Sequence, residues 1–209
     1  MKKNEFAIIK QLNTPQKIQD FVNKIPVNFE NDGKGETCMS PASVLKNNKA
    51  HCIEGAFLAA AAIWLNNIGS GKPLVVDMIG EKGDWDHVIA VFQDAKTGKF
   101  GAISKTNHAV LRYREPVYRD VRELVMSYFH EYTDDKGKGR KTLRSFSDAV
   151  DLSSFGKEWI TSKEDLWHIH DYIDSVKHYD ILSCEQIKGL RRADDIEIKA
   201  SSITEYQKP

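Results

Sequence analysis

One stretch constrains this chain more than any other. From Cys52 to Asn66 the sequence runs CIEGAFLAAAAIWLN, with Ala, Leu, Ile, Phe and Trp on nearly every side of a helix. A helix without a polar stripe has no face to offer water, so it must lie at the centre of the fold. Gly69 and Gly71 close it. The segments that follow look able to cover it. PLVVDMI (73–79) is a short β-branched run and reads as a buried strand; HVIAVF (87–92) is a second. DAKTG (94–98) is a hairpin loop and KFGAIS (99–104) the return strand. His108 to Tyr113 is a candidate for one more.

Upstream, Thr14-Pro15 starts a helix, with Ile18, Phe21, Val22 and Ile25 at helical spacing and Pro26 as its stop. Asn28 to Glu36 is a polar loop. Ser40-Pro41 repeats the start signal for a short helix to about Asn47. Downstream, Pro116 opens an amphipathic helix expected over 117–132, Asp134 to Lys141 is a solvated loop, and Ser162 caps a helix over 163–177. A short strand is expected at 196–198. Helices, then an antiparallel meander, then helices make an α+β fold. The expected organisation is one domain over 1–209, with a core at about 40–110 and a helical C-terminal extension at about 115–209.

Charge narrows the partners. Thirty Lys and Arg balance thirty Asp and Glu, so no global field draws the chain to nucleic acid or to an anionic membrane. The longest apolar run, Ala56 to Leu65, is about half of what a membrane span needs. Lys2 and Lys3 are followed by Asn4 and Glu5, which is not a secretory signal. The expected compartment is the reducing cytoplasm, where the three cysteines stay thiols. Nothing in the pattern fixes an oligomeric state.

Cys52 stands where the central helix begins. Free N–H groups and the positive dipole end favour an anion there, so a thiol at that place ionises more readily. The same N–H groups suit the oxyanion of an acyl-transfer intermediate. A thiolate nucleophile also needs a base, and His87 opens the strand HVIAVF. The plainer alternative is that Cys52 is a small buried hydrophobe and inert.

Four segments carry a further signal together: AHCIEGA (50–56), IGSGKP (68–73), DHVIAVF (86–92) and KFGAISKTN (99–107). In this order and spacing they resemble the transglutaminase-like superfamily of papain-like cysteine enzymes, over about a third of the chain. The resemblance implies a papain-like core: a central buried helix on an antiparallel sheet, with flanking helices. It implies Cys52 as nucleophile and His87 as base on a peptide or amide substrate, with hydrolysis ahead of cross-linking. It implies no metal and no organic cofactor. The superfamily's return strand carries an acid that orients the histidine, and here Ser104 takes its place. Ser104 can accept the hydrogen bond but brings no charge. Asn107 and Asp77 stay open as alternatives. The missing acid also motivates a second reading, a binding module on the same fold without catalysis.

Other constellations read as structure. His51 adjoins Cys52, but adjacent side chains are expected to diverge. Glu54 suits the helix dipole. His170, Asp174 and His178 fall at i, i+4 and i+8, a spacing that could bind zinc, though the segment is polar throughout and reads as a solvated face. Cys38 and Cys184 lack a CxxC partner. Arg112, Arg114, Arg119 and Arg122 interleave with Tyr113, Tyr118, Tyr128, Phe129 and Tyr132. This could stack bases, but inward packing with arginines paired to Glu115, Asp120 and Glu123 is favoured, against a nucleic-acid role. Lys136, Lys138, Arg140, Lys141 and Arg144 form a basic loop, partly offset by Asp134 and Asp135.

Overall fold

A computed structural model describes residues 3–30, 33, 35–134 and 137–206. Met1 and Lys2, Lys136 of the basic loop, and residues 31, 32 and 34 of the polar loop lie outside the described residues.

Four helices come first: α1 (Lys3–Gln11), α2 (Pro15–Lys24), α3 (Pro41–Asn47) and α4 (Cys52–Leu65). The start signals act as expected. The Thr14 side chain accepts from Lys17 N and the Ser40 side chain from Ser43 N, each satisfying an orphan N–H donor of the first turn. In α4 every residue from Ile53 to Ile63 is buried. Phe57, Leu58 and Ile63 are wholly so, each contributing about 1.5–3 kcal/mol by leaving water.

The meander follows as β1 (Leu74–Ile79), β2 (His87–Gln93), β3 (Phe100–Ile103) and β4 (Arg114–Tyr118). Then come α5 (Val121–Met126), β5 (Ser145–Ser147), β6 (Val150–Asp151), α6 (Trp167–Ser175), β7 (His178–Asp180), α7 (Cys184–Lys188) and α8 (Asp195–Ser202). Among the described residues the strands form one antiparallel, open sheet in the order β4-β3-β2-β1-β5-β7, with β6 also paired to β1. The fold is α+β. Val75, Val88, Ala90 and Ile103 face α4 and its neighbouring helices; Val76, Ile89, Val91 and Ala102 face a second core with Leu124, Tyr128 and Leu143. Period-2 alternation thus gives the sheet an apolar surface on both sides. Among the described residues no helix is long and apolar enough to cross a membrane.

The C-terminal half differs from expectation. The helix expected over 117–132 is instead edge strand β4 followed by the six-residue α5. Pro116 sits on that edge strand, where a missing N–H costs least, and the cap is Asp120, whose Oδ1 accepts from Glu123 N at 2.8 Å. His108 to Tyr113 is loop, touching Thr204 through one bridge at His108. The helix expected from 163 starts at Trp167, and Ser162 instead receives a hydrogen bond from Ser40 Oγ on its carbonyl. Ile196 and Ile198 lie in α8, because Asp194 and Glu197 form a capping box. Strands β5, β6 and β7, of two or three residues, are too short to show a period, so the extension is not purely helical.

Candidate active site

The N-terminus of α4, the start of β2 and the chain leaving β3 meet at a cleft of about 410 Å³, whose walls include His51, Cys52, His87, Lys105 and Trp85. Cys52 is partly exposed there, and the imidazoles of His51 and His87 both favour its thiolate. Burial by itself would raise the thiol pKa. The two imidazole bonds and the charges of both rings outweigh it and hold Cys52 well below its ordinary value.

The tautomers follow from the partners. Ser104 Oγ donates to Leu111 O at 2.6 Å, which uses its only proton. Toward His87 Nε2, 2.8 Å away, it can therefore only accept, so Nε2 carries hydrogen and Nδ1 is left for the sulfur. Ser104 is itself clamped. Gln19 Oε1 accepts from Ser104 N at 2.9 Å, and Gln19 Nε2 donates to Ser104 O at 2.8 Å. Gln19 adjoins Ile18 on the buried face of α2; a polar residue at such a position was the available signal, and it is a weak one. Replacing Ser104 by Ala removes a hydrogen bond of about 0.5–1.5 kcal/mol from the His87 ring and is expected to slow alkylation of Cys52 by iodoacetamide several fold at unchanged fold.

His51 does not diverge from Cys52. Its Nε2 lies 2.8 Å from Thr37 O, a pure acceptor, so that nitrogen carries hydrogen and the ring's other nitrogen serves the sulfur. Glu30 and Glu54 each place an Oε1 3.5 Å from Nε2. Glu54 is fully buried and accepts from His51 N (2.9 Å), Met39 N (3.0 Å), Thr37 Oγ1 (2.7 Å) and Asn28 Nδ2 (3.4 Å). It is far more than a dipole partner. Burial works against a charged ring, but the bond and charge of Cys52, with Glu54, push the His51 pKa up to about 10.

The other candidates are placed elsewhere. Asn107 binds the C-terminal segment, donating to Tyr206 O and accepting from Tyr206 N, both at 2.9 Å. Asp77 is buried beside His178, with Oδ2 3.8 Å from Nε2; burial and the charges of Asp86 and Cys52 push it up to about 8. The helical face of His170, Asp174 and His178 is broken, because α6 ends at Ser175 and His178 opens β7. Among the described residues no group of three His, Cys, Asp or Glu is placed to hold a metal ion. Cys38 is buried, its thiol pushed up to about 12 chiefly by that burial, and Cys184 is exposed. The aromatics pack inward: Arg114 lies 4.0 Å over the Tyr128 ring and 2.6 Å from Glu131, and Arg119 pairs with Glu123.

No protein-family model matches the chain, and no curated protein matches it. The functional reading therefore stands on the residues and their geometry.

One glycine holds the two halves of the site together. A Cβ on Gly55 would lie 2.3 Å from Lys105 Cβ, next in sequence to Ser104. Lys105 is buried, its ammonium donating to Ile25 O, and burial lowers its pKa to about 8. Gly55→Ala is expected to force Lys105 and Ser104 off α4, costing about 1–3 kcal/mol of stability, read by thermal unfolding.

Proposed function

We propose that this protein is a thiol acyl-transfer enzyme with a papain-like, transglutaminase-like core, hydrolysing a peptide or amide bond. One observation carries the reading: the Cys52 thiol, at a helix N-terminus in an open cleft, is bonded by two imidazoles and held well below its ordinary pKa. A binding module without catalysis has no use for such a thiol.

Cys52 Sγ attacks the substrate carbonyl carbon. The oxyanion is received by N–H groups of the first turn of α4, which have no acceptor within the helix. His87 Nδ1–H gives its proton to the leaving amine nitrogen as the C–N bond breaks, leaving a thioester on Cys52. Water then adds to the thioester carbon, losing its proton to His87, and expels the sulfur. The two imidazoles divide the work. His51 is anchored by Thr37 O and two carboxylates, so it keeps its proton and holds the thiolate. His87 is oriented by the neutral hydroxyl of Ser104, and it is the ring given the proton-transfer role. The charge expected from an acid at Ser104 is supplied on the other side of the sulfur, by Glu54. Trp85, 75% exposed at the cleft wall, offers an apolar contact for the chain flanking the scissile bond.

The test is incubation with a mixture of unstructured peptides, read by mass spectrometry. New termini, with the mass of one water added per bond cleaved, are expected with the natural chain and not with Cys52→Ser. A thiol that alkylates rapidly while no peptide is cleaved and no amine exchanged would overturn the enzymatic reading.

A further inference from the structure

Away from the cleft, a second cavity of about 220 Å³ lies between the segment entering β5 and the end of α7. Its walls carry Arg140, Lys141, Arg144, Lys188, Arg191 and Arg192, with Glu81 as the acid among them. The walls are tied together without any ligand: Ala193 N donates to Gly139 O at 2.8 Å, and Arg192 Nη1 to Lys138 O at 3.1 Å.

We propose that this cavity binds a small phosphate-bearing molecule. The charges leave room for one. Glu81 bridges Arg140 and Arg144, Asp134 pairs with Arg140, and Asp194 and Glu197 pair with Arg191. Among the described residues, six cations against these four carboxylates leave two positive charges over, which matches a phosphate monoester near its second ionisation. Lys141 points the same way independently. Its stem is buried, while its ammonium reaches solvent at the cavity wall and is neither hydrogen-bonded nor ion-paired among the described residues. A cation with no carboxylate of its own is available to an anion that enters the cavity. The guanidinium group of Arg192, which pairs with no carboxylate among the described residues, adds a forked donor that suits phosphate oxygens. Size restricts the ligand. The space equals about seven waters at ~30 Å³ each, enough for a phosphate group with a short organic stub. A nucleic-acid strand would need an extended basic stripe, and the chain as a whole is neutral.

The experiment is thermal unfolding of the full chain titrated with inorganic phosphate, with ionic strength held constant by chloride. At saturation the midpoint is expected to rise by about 5 °C or more. Lys141→Met should remove most of that rise, because it takes away the cation that has no carboxylate of its own. Arg192→Ala, at an exposed side chain, should lose most of the rise with the phosphate-free midpoint unmoved. A rise no larger than chloride produces, or one that survives in both variants, overturns the proposal. So does an oligonucleotide that shifts the midpoint where phosphate does not.

Discussion

Replacing Cys52 by Ser is expected to abolish peptide cleavage, by a factor of about 10⁴ or more, with the fold intact. A serine hydroxyl does not ionise near neutral pH, and a site built for a thiolate between two imidazoles has no base strong enough to make it do so. Alkylation isolates the same cause from any choice of substrate. A free thiol of pKa ~8.5 loses nearly a hundredfold in thiolate between pH 8 and pH 6. Cys52, held well below that value, should react with iodoacetamide at pH 6 within a few fold of its rate at pH 8. Its rate should fall only as pH drops through its own lowered pKa, where the thiolate is protonated. Peptide mapping locates the label. Cys38 is buried and its thiol is pushed up to about 12, so it should stay unlabelled; Cys184 is exposed and should label as an ordinary thiol. A Cys52 no faster than Cys184 at pH 6 would remove the nucleophile.

The second large effect is expected at His51. Gln at this position can still donate to Thr37 O, but it brings no positive charge. The thiolate then loses one of its two imidazolium partners, and buried Glu54 loses its cationic neighbour. Alkylation at pH 6 should fall tenfold or more, and the rate profile should move toward higher pH. Stability should change with pH in a defined direction. The His51 pKa rises from 6.5 to about 10 on folding, so its contribution is complete below about 6.5 and is lost as pH rises through about 10. Cys52 is shifted the opposite way, so its contribution is present above the unfolded thiol value and is lost as pH falls through its folded pKa. The pair is therefore intact between the two folded pKa values. In His51→Gln the alkaline part of this dependence should disappear from a chemical-unfolding series between pH 7 and 11. An alkylation profile unchanged by the substitution would leave His87 alone responsible for the thiolate.

The candidate site is partly legible in the sequence. Cys52 and His87 announce themselves, one by opening an all-apolar helix and the other by opening a strand, and both positions are local. Ser104 was legible only through its place on the return strand. Its bond to His87 depends on the chain bending back so that Leu111 O takes the serine proton. His51 was misjudged for a physical reason. Neighbouring side chains diverge in regular structure, but His51 is the extended residue just before the first turn of α4, where its ring can swing back over the sulfur. Glu54 and Gln19 were illegible as site residues, since a carboxylate in a first turn and a glutamine on a helix both have ordinary explanations. Only burial, and the donors converging on them from Met39, Thr37 and Ser104, gives them a role.

The sequence by itself determined the central element, the chain order of helices and meander, and the place of the thiol. Each of these follows from local periodicity or from a cap, and none needs a distant residue. Tertiary structure alone decided which groups surround that thiol. Residues 19, 30, 37, 87 and 104 are far apart along the chain, and the packing of α2, the 28–37 loop and the sheet edge around the start of α4 brings them together. It also decided the C-terminal half, where two- and three-residue strands take their conformation from the strand beside them, and where basic side chains scattered over fifty residues converge on one cavity.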